Sequence, residues 1–364
     1  MTNLFIGSGT YGTVCKYDKN DDIIVKKMAL IQNDGIYLLD GNILEALILK
    51  KYKAPFIPYV YKFQAFNDPN KTIHPHEFLL WEWNAGKSLH DWAEKASFNE
   101  IVQEIEMIAW QMANILKFLK DNRIVHMDLK PANMCYKDRF LTFIDFGFCQ
   151  IVQDNIPNRW YYGTASYADP GVMHSGVIPE YSYDMMGCGL TLAYLLTKRT
   201  QRYIMPGINI KNIGYPDQQE LFKDIGLTKI KNKIPQYIYD MITRMTDLDP
   251  KTRITPEELL KYFIDKKPYY DTYEIMTVPK TQFTFSPIGN LKLARHGKTV
   301  RENASNLITL CGMEEILAIT VSVIFNDIIT RNQKPITDYV TQNISLEDIL
   351  IGIQIALECK VVSF

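Results

Sequence analysis

Alternating hydrophobic and polar residues predict that the chain begins with a small β-sheet. Residues 4–14, 15–28, 56–66 and 78–83 are predicted to be strands, and the alternation is clear from Thr10 to Cys15. Between Gly41 and Tyr52 the apolar residues instead recur three and four positions apart, which predicts a helix with Glu45 embedded in it. Residues 1–83 therefore predict a sheet with one helix.

Helical spacing of apolar residues dominates the remainder of the chain. Ile101 to Lys120 forms a long amphipathic pattern, and a second apolar helix is predicted to begin near Asp184. Towards the C-terminus, residues 311–331 show a helical stripe, and Ser345 to Asp348 has the form of a capping box that opens another helix. The stretch 271–306 is rich in Thr, Pro, Gly and Asn, and it predicts an extended connector.

These patterns indicate an α+β chain with three parts. We predict a sheet domain at 1–83, a mainly helical domain at 84–270, and a connector with a helical extension at 271–364. Two short amphipathic helices cannot bury their apolar faces alone, so we expect the extension to pack on the larger helical domain. The alternative is that residues 311–360 form a contact for a partner protein or for a second copy of the chain.

Composition narrows the classes of function. The 40 basic and 41 acidic residues nearly cancel, so no basic excess indicates nucleic-acid binding and no polybasic run indicates a membrane surface. The longest apolar run, Ile316 to Phe325, is too short to cross a bilayer. The polar N-terminus reaches a glycine-rich loop too early for a signal peptide. The six cysteines include no C-x-x-C pair, which argues against a zinc site and predicts reduced thiols in a cytoplasmic protein.

Three short motifs carry the candidate chemistry. Gly7 to Val14 reads GSGTYGTV, and its glycines allow backbone N–H groups to approach phosphate oxygens. Similar spacing occurs in dinucleotide-binding folds, but there a helix follows the glycines, whereas here a second strand follows. His126 to Asn133 reads HMDLKPAN, and Ile144 to Gly147 reads IDFG. An acidic residue, a lysine and an asparagine on one loop can orient a hydroxyl, neutralise a phosphate and hold a metal.

In this order and spacing, the three motifs resemble those of the eukaryotic-type serine/threonine protein kinases over residues 4–263. The resemblance implies a bilobal protein-kinase-like fold that uses ATP and Mg²⁺ and acts on a protein substrate. The lysine two positions after the acidic residue is similar to that of kinases specific for serine and threonine rather than tyrosine. Asp184 resembles the aspartate that holds the backbone of the catalytic loop.

The resemblance also assigns roles to the side chains of the helical domain. Asp128 would accept the proton of the substrate hydroxyl, and Lys130 would stabilise the transferring phosphoryl group. Asn133 and Asp145 would hold two Mg²⁺ ions. Thr164 resembles the threonine that braces the catalytic aspartate and lysine.

A second group of residues is implied at the nucleotide. Lys26 resembles the lysine that binds the α- and β-phosphates and pairs with a helical glutamate, here Glu45, while Lys27 is the competing position. Ser88 would reach the ribose or, alternatively, cap the helix that follows it. The full set implied at the nucleotide is Gly7, Ser8, Gly9, Gly12, Val14, Ile24, Lys26, Trp81, Glu82, Asn84, Ser88 and Cys135.

One departure from the family pattern changes the expected regulation. Met127 replaces the arginine that, in the family, receives an activation-loop phosphate. Residues 148–162, which correspond to that loop, contain no serine or threonine. We therefore predict an activity that does not depend on serine or threonine phosphorylation of this segment.

A second departure concerns a buried ion pair. Gly171 replaces a glutamate whose usual partner resembles Arg253. Because an unpaired buried arginine would cost about 3–5 kcal/mol, we expect Arg253 to have another acceptor, such as Asp169, Glu180 or backbone carbonyls.

The main functional hypothesis is transfer of the ATP γ-phosphoryl group to serine or threonine hydroxyls of proteins. A small-molecule kinase of related fold is a different enzyme class, but Gly163 to Pro170 resembles the end of a segment that docks peptides. A non-enzymatic alternative is a pseudokinase scaffold that presents the C-terminal helices to a partner.

Overall fold

The chain divides into two compact units, which we call the sheet unit (residues 1–84 and 274–364) and the helical unit (residues 85–273). The structure does not describe the predicted site residue Asn84, Gly171 at the position of the missing glutamate, or most of the segment 148–162. A computed structural model describes residues 4–9, 12–16, 23–29, 31–33, 36–38, 41–52, 54–67, 76–83, 85–152, 163–169, 180–201, 217–263, 298–329 and 336–359.

The sheet unit contains a five-stranded antiparallel sheet in the order β1-β2-β3-β7-β6. Its strands are β1 (Leu4–Gly9), β2 (Gly12–Lys16), β3 (Ile23–Ala29), β6 (Val60–Asn67) and β7 (His76–Trp83), and two short strands, β4 (Ile31–Asn33) and β5 (Ile36–Leu38), pair with each other. The sheet confirms strands within the predicted runs, although the run 4–14 is divided between β1 and β2, and β6 begins at Val60 rather than at residue 56. The first helix, α1, covers Gly41–Lys51, as its apolar spacing predicts.

In the described part of the C-terminal extension lie three α-helices, α8 (Lys298–Cys311), α9 (Glu315–Ile329) and α10 (Leu346–Cys359). The capping box predicted before α10 is present: the Asp348 N–H donates to the Ser345 hydroxyl at 3.1 Å, and the Ser345 N–H donates to the Asp348 carboxylate at 2.8 Å. The prediction of an extended connector over 271–306 is wrong for residues 298–306, which belong to α8.

These helices pack within the sheet unit, so the expectation that they pack on the larger helical domain is wrong. Helices α9 and α10 contact α1, and α10 also contacts β6. A 3₁₀ turn at Ile336–Tyr339 contacts β5. The apolar spacing of a helix identifies the face that is buried, but it does not identify the element that covers that face.

The helical unit is built around two long helices. Its helices are α2 (Leu89–Ala93), α3 (Phe98–Asp121), α4 (Tyr181–Thr197), α5 (Gln218–Asp224), α6 (Gln236–Met245) and α7 (Pro256–Leu260). A capping box between Ser97 and Glu100 starts α3 three residues before the predicted Ile101. Helix α4 is buried from Tyr183 to Leu196 and contacts α3 and α6, so it forms the centre of this unit.

Two small two-stranded sheets flank the candidate catalytic residues of the helical unit. Strand β8 (Ile124–Val125) pairs with β11 (Gln150–Ile151), and β9 (Met134–Lys137) pairs with β10 (Phe140–Phe143). The buried side chain of Gln111 on α3 joins the second sheet: its amide donates to the Arg139 carbonyl at 2.9 Å and accepts from the Leu141 N–H at 2.8 Å. None of the helices in the described ranges is long and apolar enough to span a membrane.

Candidate active site

The carboxylate of Asp128 lies at the centre of a network of hydrogen bonds. Its Oδ1 accepts from the Thr164 N–H at 2.7 Å, and its Oδ2 accepts from Lys130 Nζ and Asn133 Nδ2, each at 2.8 Å. Lys130 Nζ also donates to the Thr164 hydroxyl at 2.6 Å. Only 3% of the surface of Asp128 is exposed. Two of its donors lie in the 126–133 loop and the third lies 36 residues away in sequence, so the orientation of the carboxylate is fixed from two sides.

The backbone of the 126–133 loop is held by α4. The carboxylate of Asp184 accepts the N–H of His126 at 2.6 Å and that of Met127 at 2.9 Å, as the resemblance implied. Burial raises the pKa of Asp184 to about 7, although these two donors act to lower it. A Cβ at Gly187 would lie 2.8 Å from the Leu129 carbonyl oxygen, so the close approach of α4 requires glycine there.

His126 links the two loops that carry the candidate catalytic groups. Its Nε2 is 3.1 Å from the Ile144 carbonyl oxygen, which can only accept, so Nε2 carries the proton. Burial lowers the pKa of the imidazole, although Asp128 and Asp145 act to raise it. The ring also contacts that of Phe146, with centroids 4.9 Å apart. A neutral His126 therefore fixes the start of the IDFG motif against the 126–133 loop.

Asn133 and Asp145 provide oxygen ligands of the kind that Mg²⁺ prefers. The Ile144 N–H donates to the Asn133 carbonyl at 2.9 Å, which brings the two positions together where β9 and β10 meet. Asp145 has a left-handed backbone with φ of 65°. No cluster of three or more His, Cys, Asp or Glu side chains in the described ranges could hold a metal. A carboxylate, an amide oxygen and ligands from a bound phosphate fit Mg²⁺ instead, since it often binds through few protein groups.

Comparison with known proteins identifies the family. A family model described as the protein kinase domain matches residues 2–263. The chain belongs to this protein kinase family. The resemblance of the three motifs is thereby confirmed, and so is the kinase fold that it implied.

Three similar curated proteins are kinases, at low identity. The chain is 25% identical over 272 residues to a probable myosin light chain kinase of Dictyostelium discoideum, covering 71% of this chain and 52% of that protein. It is 25% identical over 329 residues to mitogen-activated protein kinase p38a of Drosophila melanogaster, covering 76% and 80%. It is 24% identical over 269 residues to a probable serine/threonine-protein kinase nek2 of Dictyostelium discoideum, covering 71% and 60%. The chain thus spans about half the length of the first relative.

The glycine-rich motif of this kinase lies on the hairpin formed by β1 and β2. Gly7 is paired with Val14, Ser8 with Thr13 and Gly9 with Gly12. The hairpin places the glycines at its closed end, where the sequence predicted a continuous strand over 4–14. Their roles at a nucleotide remain predictions.

The register of the sheet separates two residues that the sequence assigned to one nucleotide. Lys26 is paired with Val14 and Leu80, whereas Trp81 is paired with Val25 in the next row. Neighbouring rows belong to opposite faces of a sheet. Lys26 therefore occupies a position on the face of Val14, and Trp81 a position on the other face. The contacts of both residues with a nucleotide remain predictions.

Ser88 and Cys135 lie side by side in the helical unit, joined by a β-bridge. The Ser88 hydroxyl accepts from the Asp91 N–H at 3.1 Å and donates to its carboxylate at 2.8 Å, so Ser88 caps α2. Cap formation is the alternative that the sequence left open, and the contact of Ser88 with a ribose stays a prediction. Cys135 is buried on β9.

Asp169 takes the place of the missing glutamate at position 171. Its carboxylate forms an ion pair with Arg253, and both side chains are almost fully buried, at 2% and 0% exposure. The guanidinium also donates to the Asp247 carbonyl at 2.8 and 2.6 Å and to the Ser182 carbonyl at 2.7 Å. The expectation of another acceptor for Arg253 is confirmed.

Gln201 is a positioning residue that the sequence did not reveal. Its buried side chain donates to the carbonyls of Ala165 and Ala168 at 2.9 and 2.8 Å, and so it holds the segment that carries Thr164. The contact spans 36 residues in sequence, and a glutamine after a helix gives no pattern from which such a contact can be predicted.

Met127, which replaces the family's arginine, is buried in an apolar cluster. The first residues after the IDFG motif join this cluster and the β8–β11 pairing, and the Val152 N–H donates to the Arg123 carbonyl at 2.7 Å. The buried members of the cluster are Val125, Met127 and Tyr183, and partly buried Phe148, Val152 and Tyr181 pack against them. The first residues after the IDFG motif are thus held by apolar packing.

Proposed function

We propose that this chain is a serine/threonine protein kinase that transfers the γ-phosphoryl group of ATP to protein hydroxyls with Asp128 as the base. The observation that carries the proposal is the shared contact of Asp128, Lys130 and Thr164, at 2.6–2.8 Å. A scaffold does not require a buried carboxylate held by three donors. Phosphoryl transfer requires it, because its catalysis depends on positioning and charge compensation.

In this mechanism each group of the network has one task. The substrate hydroxyl attacks the γ-phosphorus while its proton passes to the Asp128 carboxylate, and the bond to the β–γ bridging oxygen breaks to release ADP. Lys130 neutralises charge on the transferring group, and Thr164 keeps Lys130 beside Asp128. Asn133 and Asp145 would hold Mg²⁺, which neutralises charge on the β- and γ-phosphates when bound.

We assign the phosphate-binding lysine to Lys26 rather than to Lys27. Lys26 shares its sheet face with the positions of Val14 and Ile24, both implied at the nucleotide, whereas Lys27 shares a face with Trp81. The matched variants Lys26→Met and Lys27→Met separate the two assignments. We expect only Lys26→Met to weaken ATP binding and transfer, and the opposite result would move the site to the other face.

We further propose that activity does not depend on phosphorylation of the segment after the IDFG motif. The apolar cluster around Met127 supports this, because its packing can order the residues after the IDFG motif, as a phosphate–arginine contact orders the activation loop of other kinases. Treating the purified protein with a phosphatase, which is then removed, should leave the transfer rate unchanged. Loss of the activity would refute this part of the proposal.

The activity itself is tested by transfer of labelled γ-phosphate to a basic protein, followed by identification of the phosphorylated residue. Asp128→Asn should lower kcat by roughly 100–10,000-fold. Asp121→Asn, at an exposed carboxylate on α3, is the matched control and should retain the wild-type rate. Label on serine and threonine supports the proposal. Label on added small metabolites but not on protein would favour a small-molecule kinase.

A further inference from the structure

Helix α1 is buried around its whole circumference. The six consecutive residues 44–49 are all buried, and successive residues of an α-helix point about 100° apart, so these six cover every side. A helix that packs only on a sheet buries a single face. Elements other than the sheet must therefore pack against the remaining sides of α1.

The additional cover comes from the C-terminal extension. Helices α9 and α10 both contact α1, which also contacts β6 of the sheet. The two covering helices approach each other closely at Gly352, where a Cβ would lie 2.8 Å from Val321 Cγ2 and 3.3 Å from Leu317 Cδ1. The Tyr339 hydroxyl donates to the Asp327 carboxylate at 2.6 Å, and this hydrogen bond attaches the 3₁₀ turn Ile336–Tyr339 to α9.

This packing determines where α1 lies. An isolated helix of eleven residues is marginal in water, so its position depends on its tertiary contacts. Glu45 lies within the buried run, with 2% of its surface exposed. A carboxylate this deeply buried is placed by its helix and has little freedom of its own. Any movement of α9 and α10 would therefore move Glu45.

We propose that α9 and α10 form an intramolecular brace that positions Glu45 for phosphoryl transfer. The inference rests on the proposed function, in which Glu45 pairs with the phosphate-binding lysine. The extension then acts as a built-in positioning element. Such a brace suits a chain that has Met127 in place of the phosphate-receiving arginine and no serine or threonine over 148–162.

The test uses the full chain with Gly352→Leu, which forces α9 and α10 apart. We expect amide hydrogen exchange in residues 41–51 to become at least tenfold faster, and the transfer rate to fall at least tenfold. Gly352→Ala should give smaller changes in the same directions and guards against a variant that fails to fold. Ile351→Leu, which introduces the same side chain at a 47%-exposed neighbouring position, should change neither quantity by more than twofold.

A double-mutant cycle shows whether the brace acts through Glu45. In a Glu45→Gln background, Gly352→Leu should lower the remaining rate by less than threefold. Losses that multiply would overturn the proposal, because the extension would then act elsewhere. Unchanged exchange in α1 of folded Gly352→Leu protein would overturn it as well. If the wild-type chain transfers no phosphate but hydrogen exchange in α1 becomes faster in Gly352→Leu as expected, the proposed function is wrong. The packing of α9 and α10 on α1 would then be supported without a catalytic role for Glu45.

Discussion

The ion pair between Asp169 and Arg253 allows a sharp test of how the segment of Thr164 is anchored. Asp169→Asn keeps the shape of the side chain but removes the charge that faces a fully buried guanidinium. The carbonyls of Asp247 and Ser182 remain as acceptors, but they carry no net charge. Breaking a buried pair by removing one partner costs about 3–5 kcal/mol, and we expect a loss within that range.

Two further variants give this prediction its controls. Asp169→Leu combined with Arg253→Met removes both charges and should come within about 1 kcal/mol of the wild-type stability, since apolar replacements of buried pairs are often neutral. Asp121→Asn breaks the exposed pair with Lys117, whose side chains are 52% and 42% exposed, and should cost less than about 1 kcal/mol.

The assay must report on the helical unit, because two compact units need not unfold together. Hydrogen exchange of peptides from α4 and α6, followed against urea concentration, gives the free energy of unfolding of that unit. The same variant should also lower the transfer rate, because Asp169 lies five residues after Thr164 in the same segment. A loss below about 1 kcal/mol for Asp169→Asn would refute the reasoning.

Three other changes have defined outcomes. Gln111→Leu leaves the buried Leu141 N–H unpaired and should cost about 1–3 kcal/mol in urea unfolding; no loss would show that water replaces the amide. Thr164→Val removes one of the two acceptors of Lys130 and should lower kcat roughly tenfold or more, whereas Thr164→Ser should retain most of it. Because burial lowers the pKa of His126 below 6.5, the unfolded state takes up the proton first as pH falls. Wild-type stability relative to His126→Phe should therefore decrease below pH 6.5, by at most about 1.4 kcal/mol per pH unit, and a difference independent of pH would contradict a neutral folded imidazole.

The catalytic loop could be predicted from the sequence because its groups are close in sequence and their chemistry is restrictive. Asp128, Lys130 and Asn133 lie within six residues. Few functions other than phosphoryl transfer require an acid, a lysine and an amide so close together on one loop. The contact with Asp184 was predictable only through the family resemblance, because 58 residues separate it from His126.

Other features could not be predicted because they depend on long-range packing. Helix α8 buries Val300, Ala304 and Leu307, which have helical spacing, but its polar surroundings resemble a connector. The position of α9 and α10 against α1 is set by complementary surfaces that periodicity does not encode. The face of β3 that carries Lys26 likewise depends on the register with β2 and β7, and a shift of one residue reverses it.

The most direct test of the central claim is transfer of γ-phosphate from ATP and Mg²⁺ to a generic basic protein by the wild-type chain and by Asp145→Ala. We predict transfer to serine or threonine by the wild type and none above background by the variant. No transfer by folded wild-type protein that binds ATP would contradict the claim that this chain is by itself an active kinase.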